Sequence, residues 1–403
     1  MKNKLPNYRF NNFLDSWNIG KLSTIANEFQ SGGTPSTKVM NYWNGKIPWL
    51  QSSDIQKDIL FGVKPQKFIS EEGLQNSSAK LISKNSIAIV TRVGVGKLAI
   101  IEQDYATSQD FLSLSDFNGD IQFIVYSIYR MLQKESTQLQ GTSIKGITKE
   151  DLLSKKISLP EDLDEQSAIG SLFRTLDDLL ASYKDNLANY QSLKTTMLSK
   201  MFPKAGQTVP EIRLDGFEED WKSKQLKELV SEVSRKIDKP SEPYYRMSIR
   251  SHAKGTFKQL VEDPESVAMD ILFEVKLNDL VVNITFAWEH AIAVAREEED
   301  GLLVSHRFPT FVIDNADVDF INTYIKREIF RQKMDLLSPG GAGRNRVLNK
   351  KEFVKISILI PSLLEQQAIG AYFSNLDQLI TSYQGKITQL ETLKKKLLQD
   401  MFI

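Results

Sequence analysis

The stretch EQSAIGSLFRTLDDLL, residues 165–180, returns 200 residues later as EQQAIGAYFSNLDQLI, residues 365–380. Continued to Phe202 and Phe402, the two copies are identical at 16 of 38 paired positions, among them Glu165 and Glu365. Chance does not produce an identity of this length. The stretch therefore predicts that the chain is an internal duplication.

Both copies carry apolar residues at alternating spacings of four and three, which is the heptad pattern of a long amphipathic helix. About 38 residues at roughly 1.5 Å each form a rod on the order of 57 Å. This length favours a coiled coil, and an ordinary helical hairpin core is the alternative. Lys194 and Lys394 interrupt the patterns at the same place, where a polar residue can set register. The predicted seam is Ile169, Phe173, Leu176, Leu180, Tyr183, Leu187, Tyr190, Met197, Ile369, Phe373, Leu376, Ile380, Tyr383, Ile387, Leu390 and Leu397.

The repeat extends to whole halves, because LPNYRFNNFLDSW at residues 5–17 returns as VPEIRLDGFEEDW at residues 209–221. We predict an α+β protein in which a mixed α/β globule precedes each long helix. The predicted segments are a first globule at 1–160, a long helix at 161–203, a linker at 204–216, a second globule at 217–361 and a second long helix at 362–403.

Composition bounds the class of protein. The chain has 403 residues, 41% of them hydrophobic, and no cysteine, which excludes disulfides and thiolate chemistry. It has no apolar run long enough to span a bilayer and no signal-peptide core, so we predict a soluble, cytoplasmic protein without a membrane partner. The 51 basic residues balance 51 acidic ones, which argues mildly against nucleic acid but permits a local basic face.

In the first half, loops rich in glycine, hydroxyl groups and cations are candidates for phosphate or base contacts. They are SGGTPSTK at 31–38, the turn RVGVGK at 92–97 between two predicted strands, and the loop GTSIKG at 141–146. The turn resembles a dinucleotide fingerprint, but a strand rather than a helix follows it. Each residue alone could equally be a plain surface residue. The candidates are Ser31, Thr34, Ser36, Lys38, Arg92, Lys97, Thr142, Ser143 and Lys145.

The second half repeats the framework with different loops. The helix predicted at Asp120–Gln138 has its counterpart at Asp317–Leu337, and Thr148 and Asn349 are predicted to cap the short helices that follow. The second half lacks the IPW and TRVGVGK strings of the first. Its candidates for nucleic-acid contact are Arg250, His252, Lys254, Arg296, His306, Arg307, Arg344, Asn345 and Arg346.

The motifs of several chemistries are missing from the sequence. No Asn/Asp-Pro-Pro-aromatic string and no Walker A sequence occurs, and the three histidines form no H-E-x-x-H spacing. We find no catalytic constellation and no metal site.

These features together resemble the specificity subunit of type I restriction-modification systems. The resemblance rests on IPW after a Gly-rich loop, TRVGVGK in a hairpin, G-x-S-x-K-G-I-T-K-E-D-L and the two EQ-x-A-I-G-x-x-F-x-x-L-D helices. It implies two target recognition domains that read the halves of a bipartite double-stranded DNA site, and two long helices that pack antiparallel as a spacer about a pseudo-two-fold axis.

The resemblance also implies partners. Two methyltransferase subunits dock on the chain to direct adenine methylation, and motor-nuclease subunits join for restriction. S-adenosylmethionine, ATP and Mg are expected on those subunits, with no cofactor on this chain, which would be non-catalytic.

Two other functions remain open from the residues alone. One is a protein-interaction scaffold with two ligand-binding globules on a coiled-coil rod. The other is an enzyme that uses a carboxylate or hydroxyl nucleophile. A steep salt dependence of DNA binding would exclude the first, and methyl transfer by the isolated chain would favour the second.

Overall fold

A computed structural model describes residues 5–138, 146–338, 340 and 346–403. The chain forms two compact units: unit 1 consists of Met1–Lys184 with Gly385–Ile403, and unit 2 consists of Asp185–Gln384. Each unit thus combines a globule with a part of each long helix. The predicted segment limits stay a prediction. Among the described residues, no helix is both long and apolar enough to cross a membrane.

Unit 1 is rich in strands up to residue 117 and mostly helical beyond it, apart from one strand before the long helix. Its helices are α1 (Glu71–Gln75), α2 (Ile121–Gln138), α3 (Lys149–Ser154) and the long α4 (Leu163–Lys200), whose last part belongs to unit 2. Its strands are β1 (Trp17–Lys21), β2 (Ala26–Ser31), β3 (Ile47–Leu50), β4 (Lys67–Ile69), β5 (Ser86–Val90), β6 (Leu98–Ile101), β7 (Ala106–Thr107), β8 (Phe111–Phe117) and β9 (Lys156–Pro160).

The central sheet of unit 1 is antiparallel and has the order β2-β8-β5-β6. Successive side chains of a strand point to opposite faces, so β5 contributes side chains to two hydrophobic clusters. Ile87 and Ile89 pack in the cluster that contains Phe123 of α2, whereas Ala88 and Val90 pack in a cluster on the other face. A second sheet has the order β4-β3-β7, and β1 pairs with β9.

Unit 2 has more and shorter strands. Its helices are α5 (Val318–Tyr324), α6 (Glu328–Leu336), α7 (Lys350–Phe353) and the long α8 (Leu363–Asp400), whose last part belongs to unit 1. Its strands are β10 (Lys222–Gln225), β11 (Val230–Val233), β12 (Lys236–Asp238), β13 (Tyr244–Ile249), β14 (Thr256–Val261), β15 (Ile271–Glu274), β16 (Asp279–Val282), β17 (Ile292–Val294), β18 (Leu303–Val304), β19 (Thr310–Ile313) and β20 (Ser357–Ile360).

The two units share a framework sheet and differ in their second sheet. In unit 2 the order β11-β19-β16-β17 repeats β2-β8-β5-β6 of unit 1, and the pair β10–β20 repeats β1–β9. The second sheet of unit 2 instead has five strands in the order β12-β15-β18-β13-β14. The hairpin β16–β17 is therefore the counterpart of β5–β6, an equivalence that sequence identity does not reveal.

Local predictions are confirmed where short-range chemistry decides the structure. The strands predicted around the turn at residues 92–97 form the hairpin β5–β6. The Thr148 hydroxyl accepts a hydrogen bond from the backbone N–H of Asp151 at 3.1 Å, and the Asn349 side chain accepts one from Lys351 at 3.0 Å, so both residues cap helices.

The single helix predicted at Asp317–Leu337 is wrong, because the chain forms two helices, α5 and α6, with a break at residues 325–327. The Nε2 atom of the buried His290 ring lies 2.6 Å from the Ile325 carbonyl. That carbonyl is held by a side chain, and Arg327 has an extended backbone before α6 begins. The first-half helix has no such break and is confirmed as α2.

The repeated EQ pair attaches each long helix to its globule. Glu165 is fully buried and accepts two hydrogen bonds from the Arg9 guanidinium, both at 2.6 Å, and one from Trp17 at 3.3 Å. Gln166 accepts from the backbone of Asp120 and donates to the Pro160 carbonyl.

Unit 2 repeats this attachment with its own residues. Arg213 donates to Glu365 at 2.8 and 2.7 Å, and Gln366 contacts the backbone of Asp317 and Pro361. The identity that defines the repeat therefore reflects the attachment of helix to globule as well as the heptad pattern.

Within each unit, parts of the long helices lie antiparallel and are joined by an ion pair, which is largely buried in unit 1 and more exposed in unit 2. In unit 1, Lys394 donates to Asp177; in unit 2, Lys194 donates to Asp377. Lys194 and Lys394, which interrupt the two heptad patterns, are thus paired with carboxylates that the heptad patterns do not predict as partners.

All sixteen predicted seam residues are buried or partly buried. The first three of each helix pack into the core of the globule, where Phe173 contacts the Tyr126 ring at 5.1 Å and the Phe402 ring at 5.4 Å. The helical surface that would be free for a coiled coil is therefore shorter than the heptad pattern itself.

Candidate nucleic-acid interfaces

The short segment 107–110 brings two predicted loops of unit 1 together. The Thr107 carbonyl accepts from the Gly33 N–H at 2.8 Å, and the Gln109 side chain accepts from the Thr34 hydroxyl at 2.7 Å. The Asp110 carbonyl accepts from the Thr91 N–H at 2.7 Å. The Gly-rich loop at 31–38 and the turn after Thr91 are therefore held on one frame.

The Gly-rich loop needs its glycines because its backbone lies against neighbouring backbone. A Cβ atom at Gly33 would overlap the backbone of Ser78. The Gly33 carbonyl also accepts from the Trp49 ring at 2.9 Å, and the Trp43 ring meets Trp49 edge-on at 4.9 Å. These contacts hold the loop against its neighbours, with Ser31, Ser36 and Lys38 exposed and Thr34 partly buried.

The turn at 92–97 presents a cation at the end of the central hairpin. Arg92 is exposed, whereas Lys97 is partly buried and donates to the Ser52 carbonyl at 3.3 Å. Next to this turn, the Ile147 N–H donates to the Thr91 carbonyl at 2.8 Å. The loop at 141–146 therefore ends beside Arg92, although its candidates Thr142, Ser143 and Lys145 lie outside the described residues.

In unit 2, the turn at 284–290 occupies the place of the turn at 92–97, since it joins β16 to β17. We call these two turns the central turns. The Leu348 N–H donates to the Ile284 carbonyl at 2.9 Å, as Ile147 does to Thr91 in unit 1. The second-half loop that carries the candidates Arg344, Asn345 and Arg346 thus also ends beside the central turn. Its candidates Arg344 and Asn345 lie outside the described residues.

A second turn docks on this one. His252 and Ala253 have φ values of 62° and 50°, in the left-handed region that costs energy for residues other than glycine. Their N–H groups donate to the carbonyls of Glu289 and His290 at 2.7 and 2.9 Å. These bonds hold the β13–β14 turn, and with it Arg250, against the central turn.

Two more candidates lie at the central turn. The Arg307 guanidinium donates to the Thr285 hydroxyl at 3.1 Å. The Arg346 guanidinium lies 5.2 Å from the centre of the Trp288 ring and donates to the Ser338 carbonyl at 2.9 Å. Arg307 is exposed and Arg346 is partly buried.

One predicted residue, Arg296, is not brought to this turn. Arg296 follows the far end of β17, and its guanidinium donates to Asp319 of α5 at 2.6 Å. Lys254 and His306 are exposed in neighbouring loops. A contact between Arg296 and DNA together with the other candidates stays a prediction, and the structure ties this side chain to the helical layer.

The sequence-based candidates omitted the aromatic residues of the turn. Phe286, at the tip of the turn, is 45% exposed. Trp288 is partly buried, and its Nε1 atom lacks a partner among the described residues. Two aromatic residues in the polar connection NITFAWEH, between two apolar strands, are the signal that could have revealed them.

The charged groups around the two central turns include guanidinium groups and a buried histidine. Burial lowers the pKa of His290, which serves the helix break rather than the surface. In the part of the chain that the structure describes, no group of histidine and carboxylate side chains could hold a metal ion. The surfaces around the two central turns offer guanidinium groups, amide donors and aromatic rings, which bind phosphates and base edges.

Comparisons with known proteins agree over both halves. The model of the type I restriction modification DNA specificity domain matches residues 15–190 and again 218–392. The MjaIX specificity subunit of a type I restriction enzyme from Methanocaldococcus jannaschii is 26% identical over 176 residues, 42% of this chain and 39% of the relative. This chain thus spans about two fifths of that relative.

Two further comparisons extend over nearly the whole chain. The MjaVIII specificity subunit from the same organism is 22% identical over 402 residues, covering 95% of this chain and 91% of the relative. The solved S subunit of a type I restriction-modification system from M. genitalium has a similar fold, with a TM-score of 0.62 at 15% identity and 99% of both chains covered.

Proposed function

Because this chain belongs to the type I restriction modification DNA specificity family, we propose that it is the DNA-reading subunit of a type I complex. Each unit reads one half of a bipartite double-stranded site, and the chain itself carries out no catalysis. The observation that supports this most is the shared framework sheet, which presents a different central turn in each unit.

The two central turns suit different base sequences. In unit 1 the exposed Arg92 can donate two hydrogen bonds to a guanine edge in the major groove. In unit 2 the tip is apolar because Phe286 is exposed there. Arg307 and the docked turn with Arg250 lie beside it. An apolar side chain favours the thymine methyl group, while the arginines beside it bind phosphates. Different chemistry on one framework is what reading two unrelated half-sites requires.

The long helices would set the distance between the half-sites by packing antiparallel about a pseudo-two-fold axis. They also offer matched apolar positions for partners: Leu163 and Leu363 are 59% and 53% exposed, and Leu179 and Leu379 are 39% and 40% exposed. We propose that two methyltransferase subunits dock there and that motor-nuclease subunits join them. S-adenosylmethionine, ATP and Mg would be bound by those subunits, and the complex would act on DNA in the cytoplasm.

Methylome sequencing tests the reading of separate half-sites. A host that expresses the chain with its methyltransferase is compared with hosts that carry Arg92→Ala or Phe286→Ala. Arg92→Ala should relax the sequence at one half-site only and Phe286→Ala at the other only, with a discrimination loss of about 1–3 kcal/mol each for a lost base contact.

Lys156→Ala, which removes an exposed cation of the framework strand β9, should leave both half-sites unchanged. Relaxation of both half-sites by either single variant would contradict the modular reading. A methylome without a bipartite motif in the parent host would contradict the proposed function itself.

A further inference from the structure

A large groove in unit 1 lies between the central turn and the long helices. It has a volume of about 1230 Å³. One side is formed by residues 57–62 and 94–98, and the other by residues of α2, α4 and the last part of α8. The groove therefore begins at the turn that carries Arg92 and Lys97.

The groove is strongly cationic, although the chain as a whole is neutral. Seven lysine and arginine side chains and four carboxylates line it, which leaves a net charge of +3. The basic residues are Lys57, Lys97, Arg130, Arg174, Lys184, Lys394 and Lys395.

The four carboxylates of the groove are already engaged. Asp177 accepts from Lys394 and from the Tyr126 hydroxyl, and Asp178 accepts from Arg174 at 3.0 Å. Glu391 pairs with Lys184 at 2.7 Å, and Asp58 accepts from the Tyr129 hydroxyl at 2.7 Å. Outside these three ion pairs the groove has the cations of Lys57, Lys97, Arg130 and Lys395 and the carboxylate of Asp58, whose charge the Tyr129 hydroxyl does not neutralise.

Arg130 marks the floor of the groove. Its Nε atom is buried and has no hydrogen-bond partner among the described residues. Burial lowers the pKa of this guanidinium, because its charge is removed from water without a nearby anion. The buried Nε cannot itself reach a ligand, but the partly buried side chain lines the groove, and an anionic ligand there would compensate its charge.

The matching arginine of unit 2 is used differently. The Arg327 guanidinium lies 4.4 Å from the centre of the Phe202 ring and 5.2 Å from that of Tyr324. Its charge is thus taken up by aromatic faces. The available cation at this position is therefore a feature of unit 1.

We propose that this groove binds the sugar-phosphate backbone of duplex DNA beyond the first half-site. The inference rests on the proposed function and extends it, since it adds a contact that is independent of base sequence. Continuity with the central turn favours DNA over an acidic protein, because a duplex read at Arg92 continues past Lys97 toward Lys57 and Lys395. Phosphate contacts of this kind add affinity and orient the duplex without adding specificity.

The salt dependence of DNA binding by the complex with its methyltransferase subunits tests this proposal. Binding of fluorescent duplexes is measured between about 50 and 300 mM KCl for the parent, Lys57→Glu and Lys395→Glu. The plot of log K against log salt has a negative slope, and each variant should make it less steep by about 0.9 for each lost phosphate contact. Affinity should fall several-fold for cognate and non-cognate duplexes alike, so that their ratio is unchanged.

Lys396→Glu is the matched control, because this residue follows Lys395 on α8 and is exposed but does not line the groove. The groove proposal is overturned if Lys57→Glu and Lys395→Glu keep the parental slope, if Lys396→Glu causes the same loss, or if the variants lose the methyltransferase subunits instead. The proposed function fails separately if the parent shows no preference for its cognate duplex.

Discussion

The ion pair between Lys394 and Asp177 should behave as a buried pair, and breaking it should strongly lower the free energy of unfolding. The two side chains are 10% and 18% exposed in unit 1. Seven residues further along α4, Lys184 pairs with Glu391 at 2.7 Å, with exposures of 55% and 52%. The same two helices thus carry a buried and an exposed pair of equal chemistry.

The expected magnitudes follow from burial. Breaking a buried pair by removing one partner costs about 3–5 kcal/mol, because the remaining charge is left without compensation. Asp177 also accepts from the Tyr126 hydroxyl at 2.6 Å, so Lys394→Met leaves it one donor, and we expect about 2–4 kcal/mol. Asp177→Asn keeps an acceptor for Tyr126 but leaves Lys394 unpaired, with a similar cost. The exposed pair should contribute about 0.2–1 kcal/mol.

A double-mutant cycle measures the coupling within each pair. Chemical unfolding of the full chain, followed by tryptophan fluorescence, is compared for Asp177→Asn, Lys394→Met and the double variant. The double variant should be far less destabilised than the sum of the singles. Lys184→Ala with Glu391→Ala forms the control cycle. A coupling energy for the buried pair no larger than that of the exposed pair would refute the reasoning.

Two further perturbations test the packing of each unit. Gly170→Ala should destabilise unit 1 by about 1–3 kcal/mol, because the added Cβ would lie 2.7 Å from the Phe123 backbone nitrogen. Gly385→Ala, in open space on α8, should stabilise the same unit by up to about 1 kcal/mol. Equal effects in thermal unfolding would contradict this difference. Burial lowers the pKa of His290 below its ordinary 6.5, so the unfolded chain binds that proton more readily and unit 2 should lose stability as the pH falls below about 6.5. Hydrogen exchange of α5 and α6 is measured at pH 7.5 and 5.5. The loss of protection at the lower pH should be smaller for His290→Gln than for the parent, and an equal loss of protection would count against this role of His290.

Much of the candidate site in unit 1 could be predicted, because its signals are local. The turn around Arg92 and the cap at Thr148 depend on backbone geometry within a few residues. The glycines at residues 32 and 33 stand out in the sequence, although the contacts that require them, with Thr107 and Ser78, are long-range. In unit 2 the corresponding turn could not be found by identity, since Phe286 and Trp288 share no side-chain chemistry with Arg92. Strand order reveals the equivalence, and strand order is a property of long-range pairing.

The sequence by itself determined the duplication, the two long helices and the alternation of globule and helix, because heptad periodicity and repeated strings depend only on residue spacing. Only the tertiary structure decided which residues those patterns serve. It paired Lys394 with Asp177, buried Glu165 against Arg9, broke the second-half helix at Ile325 and drew Arg296 away to α5. Each of these outcomes joins residues far apart in the chain, and in the first three burial makes an unpaired charge or carbonyl too costly to leave without a partner.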